Sequence, residues 1–184
     1  GNPGQDLQKL GYRVLIVKGK PADPNQRYGI EVDQNGARVV AGDAYKGLWN
    51  YAACEKLYEK YPETASFITI GPAGEMQLSG ASVACTDEKG RPARHAARGG
   101  LGAVMGSKRI KAIVFDNAGG QKPPIVHAEA FKVAQKDYTQ SVMNHPQSVT
   151  YRDYGTAAMT QLTQRFAAIP VNNFSRGTFD NVED

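Results

Sequence analysis

The 184-residue chain predicts an α+β fold: a β-rich domain with flanking helices over residues 1–118, followed by the start of a helical domain. Three observations carry this. Short β-branched and aromatic runs recur between turn signals through the first two thirds of the chain, among them "RVLIVKG", "SFITIG" and "IKAIVF". A Gly- and Pro-rich stretch, "DNAGGQKPP", then breaks the pattern and sets a linker over residues 119–126. From His127 to residue 184 the apolar spacing becomes helical, the beginning of a second domain.

The elements follow in order. "PGQDLQKLGY" reads as a short helix ended by Gly11, and "RVLIVKG" as the strand after it. "RYGIEVDQNGARVVAG" is a hairpin: Tyr28, Ile30 and Val32 alternate, and Asn35-Gly36 supplies the positive-φ turn. "GLWNYAACEKLYEKYP" is an amphipathic helix with Tyr51, Cys54, Leu57 and Tyr58 on one face. "SFITIG" is a buried-type strand that enters the turn "GPAGE". "SGASVACTD" is a further strand, and "EKGRPARHAARGG" an irregular loop. "GGLGAVMGSK" can hold a short helix, closed by Gly106-Ser107, before the strand "IKAIVF". Past the linker, Phe131, Ala134, Tyr138 and Val142 mark a helix stopped by Pro146, and "TAAMTQLTQRFAA" is a second one. "VNNFSRGTFDNVED" lacks periodicity and reads as a loop.

Charge is unevenly placed. Lys89 to Lys111 holds seven Lys/Arg and no acid, so the rest of the chain carries 15 of the 22 basic residues against all 18 acids. A local surplus favours a specific anion site over a surface that coats a polyanion, and it disfavours nucleic acid as partner. No apolar run approaches the roughly 20 residues of a membrane helix, so no membrane partner is expected. The chain opens on Gly1 rather than Met and without a basic-then-apolar leader, as expected of a cytoplasmic protein or of a piece of something longer. Cys54 and Cys85 belong to no C-x-x-C pair and read as reduced, small hydrophobic residues.

Within "ARHAARGGLGAVMGSKRIKAIVF", amides exposed at a glycine turn can bind phosphate oxygens, and a missing Cβ lets a ligand approach the main chain. Arginine suits such a ligand because its planar fork holds two oxygens at once. Arg94, Arg98, Gly99, Gly100 and Gly102 therefore suit a phosphate-bearing ligand. A plain structural turn, an anion or cofactor site and a nucleotide- or RNA-binding loop all remain open on these residues. The run is neither G-x-G-x-x-G nor a Walker motif, in which Lys precedes Ser. His95 reads as a loop histidine, His127 and His145 as surface or capping residues. Glu75 is either a site acid or a partner of nearby turn amides. No set of catalytic residues is legible.

The string "RGGLGAVMGSKRIKAIVF" closely resembles a segment of the aldehyde ferredoxin oxidoreductase family. "ITIGPAGE", "GQDLQKLGYRVLIVKGKP", "YGTA" and "IPVNNFSRGTF" resemble further landmarks of that family, in its order. The resemblance implies an N-terminal-domain segment of a prokaryotic, anaerobic enzyme that oxidises aldehydes to carboxylic acids. It implies a tungsten or molybdenum bis-pterin cofactor with bridging Mg²⁺, and a [4Fe–4S] cluster, with ligands outside this chain, that passes electrons to ferredoxin or another electron-transfer protein. Carried over by position, Arg94 contacts the pterin or its phosphate, and His95 offers its main-chain carbonyl toward Mg²⁺. Arg98, Gly99, Gly100 and Gly102 shape the cradle. A homo-oligomer is compatible with the family. The sequence departs from the family at Met76-Gln77, where Asn-Leu is usual, and at His95, where a small residue is usual. Alone, the segment is expected to be one wall of a site and inactive.

Overall fold

The computed structural model describes residues 1–19 and 21–180. Contacts divide the chain into two compact units, Gly1–Pro124 and Ile125–Asp184. The first holds α1 (Pro3–Lys9), β1 (Tyr28–Asp33), β2 (Gly36–Ala41), α2 (Asn50–Tyr58), β3 (Ser66–Thr69) and α3 (Pro72–Glu75). It continues through β4 (Val83–Cys85), β5 (Arg94–Ala96), α4 (Leu101–Ser107) and β6 (Ile110–Phe115). The strands form one six-stranded sheet in the order β2-β1-β6-β3-β4-β5. Only the β1–β6 pair is parallel; the other pairs are antiparallel.

Local sequence accounts for the helix ends. Pro3 opens α1 at a position where its missing N–H is not needed, and Gly11 follows the helix at φ +85°. Pro72 opens α3 in the same way, and α4 begins after Gly100 at φ +68°.

Each sheet face has its own core. Leu10, Ile30, Val32, Ile70, Met105, Ile110 and Phe115 fill one side. Cys54, Leu57, Ala65, Phe67, Ala112 and Val114 fill the other, where Phe67 packs against the rings of Tyr58 and Tyr61. Each Leu, Ile, Val, Phe or Met among them is worth about 1.5–3 kcal/mol when fully buried. On the second face Glu31 accepts hydrogen bonds from Lys60, Tyr61 and Arg38. Burial alone would raise its carboxyl, but those three donors outweigh it and hold the group low.

Four details differ from the sequence expectation. Arg13–Gly19 belongs to no strand: Arg13 and Gly19 are bends, Gly19 at φ +80°. The hairpin loop is Gln34-Asn35, with Gly36 (φ +134°) opening β2, because the Asp33 side chain accepts the Asn35 amide and tightens the turn one residue early. Tyr51 is exposed, since α2 buries Ala53, Cys54 and Leu57 instead. The loop after β4 is not wholly irregular: Arg94–Ala96 pairs with β4 as the edge strand β5.

The second unit contains α5 (Ala128–Asn144), α6 (Pro146–Tyr154), a 3₁₀ turn over Gly155–Met159 and α7 (Thr160–Arg165). His145 caps α6 by accepting the Gln147 amide at 3.2 Å, and Pro146 stops α5 while opening α6. The expected stripe on α5 exists, but Phe131, Tyr138 and Val142 are exposed. In the closing segment a bridge joins Val171 to Arg176 around Asn172, Asn173 and Phe174, all at positive φ. Residues 181–184 of the expected loop lie outside the described residues. Among the described residues no helix is long and apolar enough to cross a membrane.

Candidate functional site

The basic loop lies at the β5 edge of the sheet, where Ala93 through Gly99 are all exposed. Register decides where its side chains go. Arg94 pairs with Cys85 and Ala96 with Val83, so these share the face of the Ile68 and Ile113 core, whereas His95 pairs with Ala84 and faces the other way. Arg94 and His95 therefore do not converge through their side chains. The His95 ring meets the Ser82 hydroxyl, 3.0 Å from Nδ1.

Arg94 lines a polar cleft of about 350 Å³ with Asn2, Gln5, Asp87, Glu88, Lys89 and Arg91. Of the two acids in that cleft, Asp87 is already engaged. Asp87 holds Arg91 at 2.9 Å and accepts the amides of Lys89 and Arg91. The Arg91 guanidinium and those amides pull its carboxyl down to about 2. Among the described residues Arg94 and Arg98 make no side-chain hydrogen bond or ion pair. They are cations without a counter-charge, next to exposed backbone.

The glycines divide into two groups. Gly99 and Gly100 are consecutive left-handed residues, at φ +79° and +68°. A Cβ on Gly99 would meet nothing within 4 Å, so this residue alone of the run presents open space toward solvent. A Cβ on Gly100 would lie 2.6 Å from Ser79 O, one on Gly102 2.5 Å from Ser82 O, and one on Gly106 only 1.8 Å from Gly74 O. In these three the missing side chain makes room for neighbouring protein backbone. They hold the loop from behind, by letting α4 settle onto α3 and the 79–82 segment.

A buried ion cluster supports the same contact. Lys111 is 0% exposed. Its ammonium donates to Glu75 Oε1 at 2.5 Å and to Leu48 O at 2.7 Å. The Gly47 amide donates to both Glu75 oxygens, and Arg27 donates to the Glu75 carbonyl at 3.1 Å. Burial pushes the Lys111 ammonium down, and the Glu75 carboxylate opposes it. Glu75 is thus a structural acid whose partners include the Gly47 amide. Of the seven clustered cations, Lys111 and Arg91 are neutralised within the fold, which leaves a smaller and more localised surplus. The Lys111–Glu75 pair spans 36 positions, and no spacing in the sequence announces it.

These features define a mixed-sheet domain that carries an uncompensated basic edge loop, suited to an anionic, phosphate-bearing group. The chain belongs to the aldehyde ferredoxin oxidoreductase family: the family model described as "Aldehyde ferredoxin oxidoreductase, N-terminal domain" matches residues 1–117. It is 28% identical over 181 residues to the tungsten-containing aldehyde ferredoxin oxidoreductase of Pyrococcus furiosus, covering 96% of this chain and 28% of that protein. The Pyrococcus abyssi protein of the same name is 30% identical over 185 residues, with the same two coverages. Among solved structures, the active site complex BamBC of benzoyl coenzyme A reductase in complex with 1,5-dienoyl-CoA is similar. It gives a TM-score of 0.63 and 26% identity over 77% of this chain and 20% of that one. The chain therefore spans 28% of the length of the first relatives it matches.

Proposed function

We propose that this chain seats a tungsten or molybdenum bis-pterin cofactor at the β5 edge. The observation that carries the reading is the pair of uncompensated guanidinium groups, Arg94 and Arg98, beside the open left-handed Gly99. The residues fit such a group chemically: planar forks for phosphate oxygens and bare backbone for close approach. Arg94 and Arg98 bind the phosphates. The His95 carbonyl, on an exposed edge strand, would offer a hard oxygen to the Mg²⁺ of the cofactor, a role independent of the imidazole that faces Ser82. Gly99 admits the ligand, while Gly100 and Gly102 keep the cradle in shape. When bound, the cofactor supplies two-electron redox chemistry, and the protein supplies position and electrostatics. Residues 1–118 are read as the N-terminal domain, 119–126 as a linker and 127–184 as the start of a helical domain. In the full-length cytoplasmic enzyme the reaction would be oxidation of an aldehyde to a carboxylic acid, and a [4Fe–4S] cluster held by residues outside this chain would supply the electron-transfer chemistry toward ferredoxin.

The test is metal analysis and pterin fluorescence of the full-length protein, wild type against an Arg94→Ala, Arg98→Ala double variant. Near-stoichiometric tungsten or molybdenum in the wild type is expected, falling at least roughly tenfold in the variant at unchanged thermal stability; losing two charge-assisted contacts justifies that size. A wild type without either metal, or a variant with full occupancy, sinks the reading. Strongly salt-dependent RNA binding in their place would make the loop a nucleic-acid module.

A further inference from the structure

Arg13–Lys18 has the character of a strand without a neighbour. Its side chains alternate: Leu15 and Val17 pack against the sheet core, while Val14 and Ile16 are 67% and 70% exposed. Both ends are held, by the Tyr12 amide on Leu7 O and by Lys108 Nζ on Gly19 O. Between them, from Arg13 to Lys18, no backbone N–H or C=O has a protein partner among the described residues. Val14–Lys18 would span roughly 17 Å in strand conformation, close to the length of an ordinary strand. Proteins protect free strand edges with interior charge, proline or a bulge; here the interior is Val-Leu-Ile-Val, with Arg13 and Lys18 only at the ends. Beside it, Val17, Ile30 and exposed Val39 line an apolar cleft of about 260 Å³. The segment thus offers unpaired backbone, an apolar outer row and an apolar cleft along one line.

We propose that Arg13–Lys18 is one strand of a β-pair whose other strand comes from the same polypeptide, outside residues 1–184. The residues matched here make up 28% of each of the first relatives, so most of such a polypeptide lies elsewhere. The partner strand is β-branched and alternating, places one apolar side chain in the Val17–Val39 cleft, and carries an acidic residue opposite Arg13 or Lys18. This inference rests on family membership and is independent of the cofactor reading.

Hydrogen–deuterium exchange on the full-length protein tests it. Amides of residues 13–18 are expected to exchange at least ~100-fold more slowly than in an unstructured chain, as paired strands do, and to stay protected on dilution to the monomer. Ile16→Asp is expected to release that protection while Ile110–Phe115 remains protected. Should Ile16→Asp fail to fold, Ile16→Cys in the full-length protein decides: thiol labelling at least ~10-fold slower than for a free thiol supports the pairing. Exchange at unstructured rates in the wild type, or a fully reactive Cys at position 16, overturns the proposal. Protection lost on dilution also overturns it, by assigning the neighbouring strand to a second copy.

Discussion

Gly106→Ala tests the reading of the glycine run as a backbone-packing device. The added methyl carbon would lie 1.8 Å from Gly74 O, whereas ordinary contact begins near 3.4 Å, so α3 and α4 must separate by about 1.6 Å. Alanine gains up to about 1 kcal/mol in helix propensity. Overpacking typically costs 1–3 kcal/mol, and the upper end applies because the obstruction is a carbonyl held by another helix. The balance is about 2 kcal/mol of destabilisation, a Tm lower by roughly 8 °C for a unit of this size. Gly4→Ala is the control: it lies in α1 with nothing within 4 Å of the new carbon, so the same substitution should stabilise by about 0.5–1 kcal/mol. Thermal unfolding of the full-length protein, followed by protease resistance of this domain, reads both. A Gly106→Ala Tm within a degree of wild type, or an equal loss in Gly4→Ala, would refute the packing argument.

Three further outcomes are expected. Lys111→Met leaves the Glu75 carboxylate buried without its nearest cation and should cost ~3–5 kcal/mol in denaturant unfolding; a loss under 1 kcal/mol would mean the pair is not buried as described. The Asp87 carboxyl is depressed from 3.8 to about 2, so its hold on Lys89 and Arg91 is complete above about pH 4 and lost as pH falls toward 2. NMR titration of the Lys89 and Arg91 amides checks this, and a midpoint near 4 would contradict it. Burial pushes the Cys54 thiol up to about 12, so it should resist a disulfide reagent at pH 8 until the protein unfolds; rapid native labelling would show that α2 does not cover it.

Much of the architecture was legible because it is written in local chemistry. Pro3 and Gly11 bracket α1, Pro72 opens α3, and Tyr28, Ile30 and Val32 alternate along β1. What escaped depends on pairing between distant segments. "IKAIVF" reads as a strand, but does not tell that it lies between β1 and β3 with both faces covered and Lys111 buried in it. The opposite orientations of Arg94 and His95 follow from register with β4, which no feature of "PARHAARGG" fixes. The glycine argument identified residues where backbone must come close, but the approaching group at Gly100 and Gly102 is protein backbone, which spacing cannot distinguish from ligand. The β-branched alternation of Arg13–Lys18 reads as a strand, but the structure assigns none there, because pairing needs a neighbour that composition does not supply.

The position of β6 has a consequence for how the domain is made. It is the last strand in sequence but sits between β1 and β3, joining the β1–β2 hairpin to the β3–β4–β5 meander. While a ribosome has not yet released residues 110–115, the β1–β2 hairpin and the β3–β4–β5 meander have no strand to join them. The nascent domain therefore closes in a late step, and until then its two open edges are where a chaperone, or a misdirected strand, would bind.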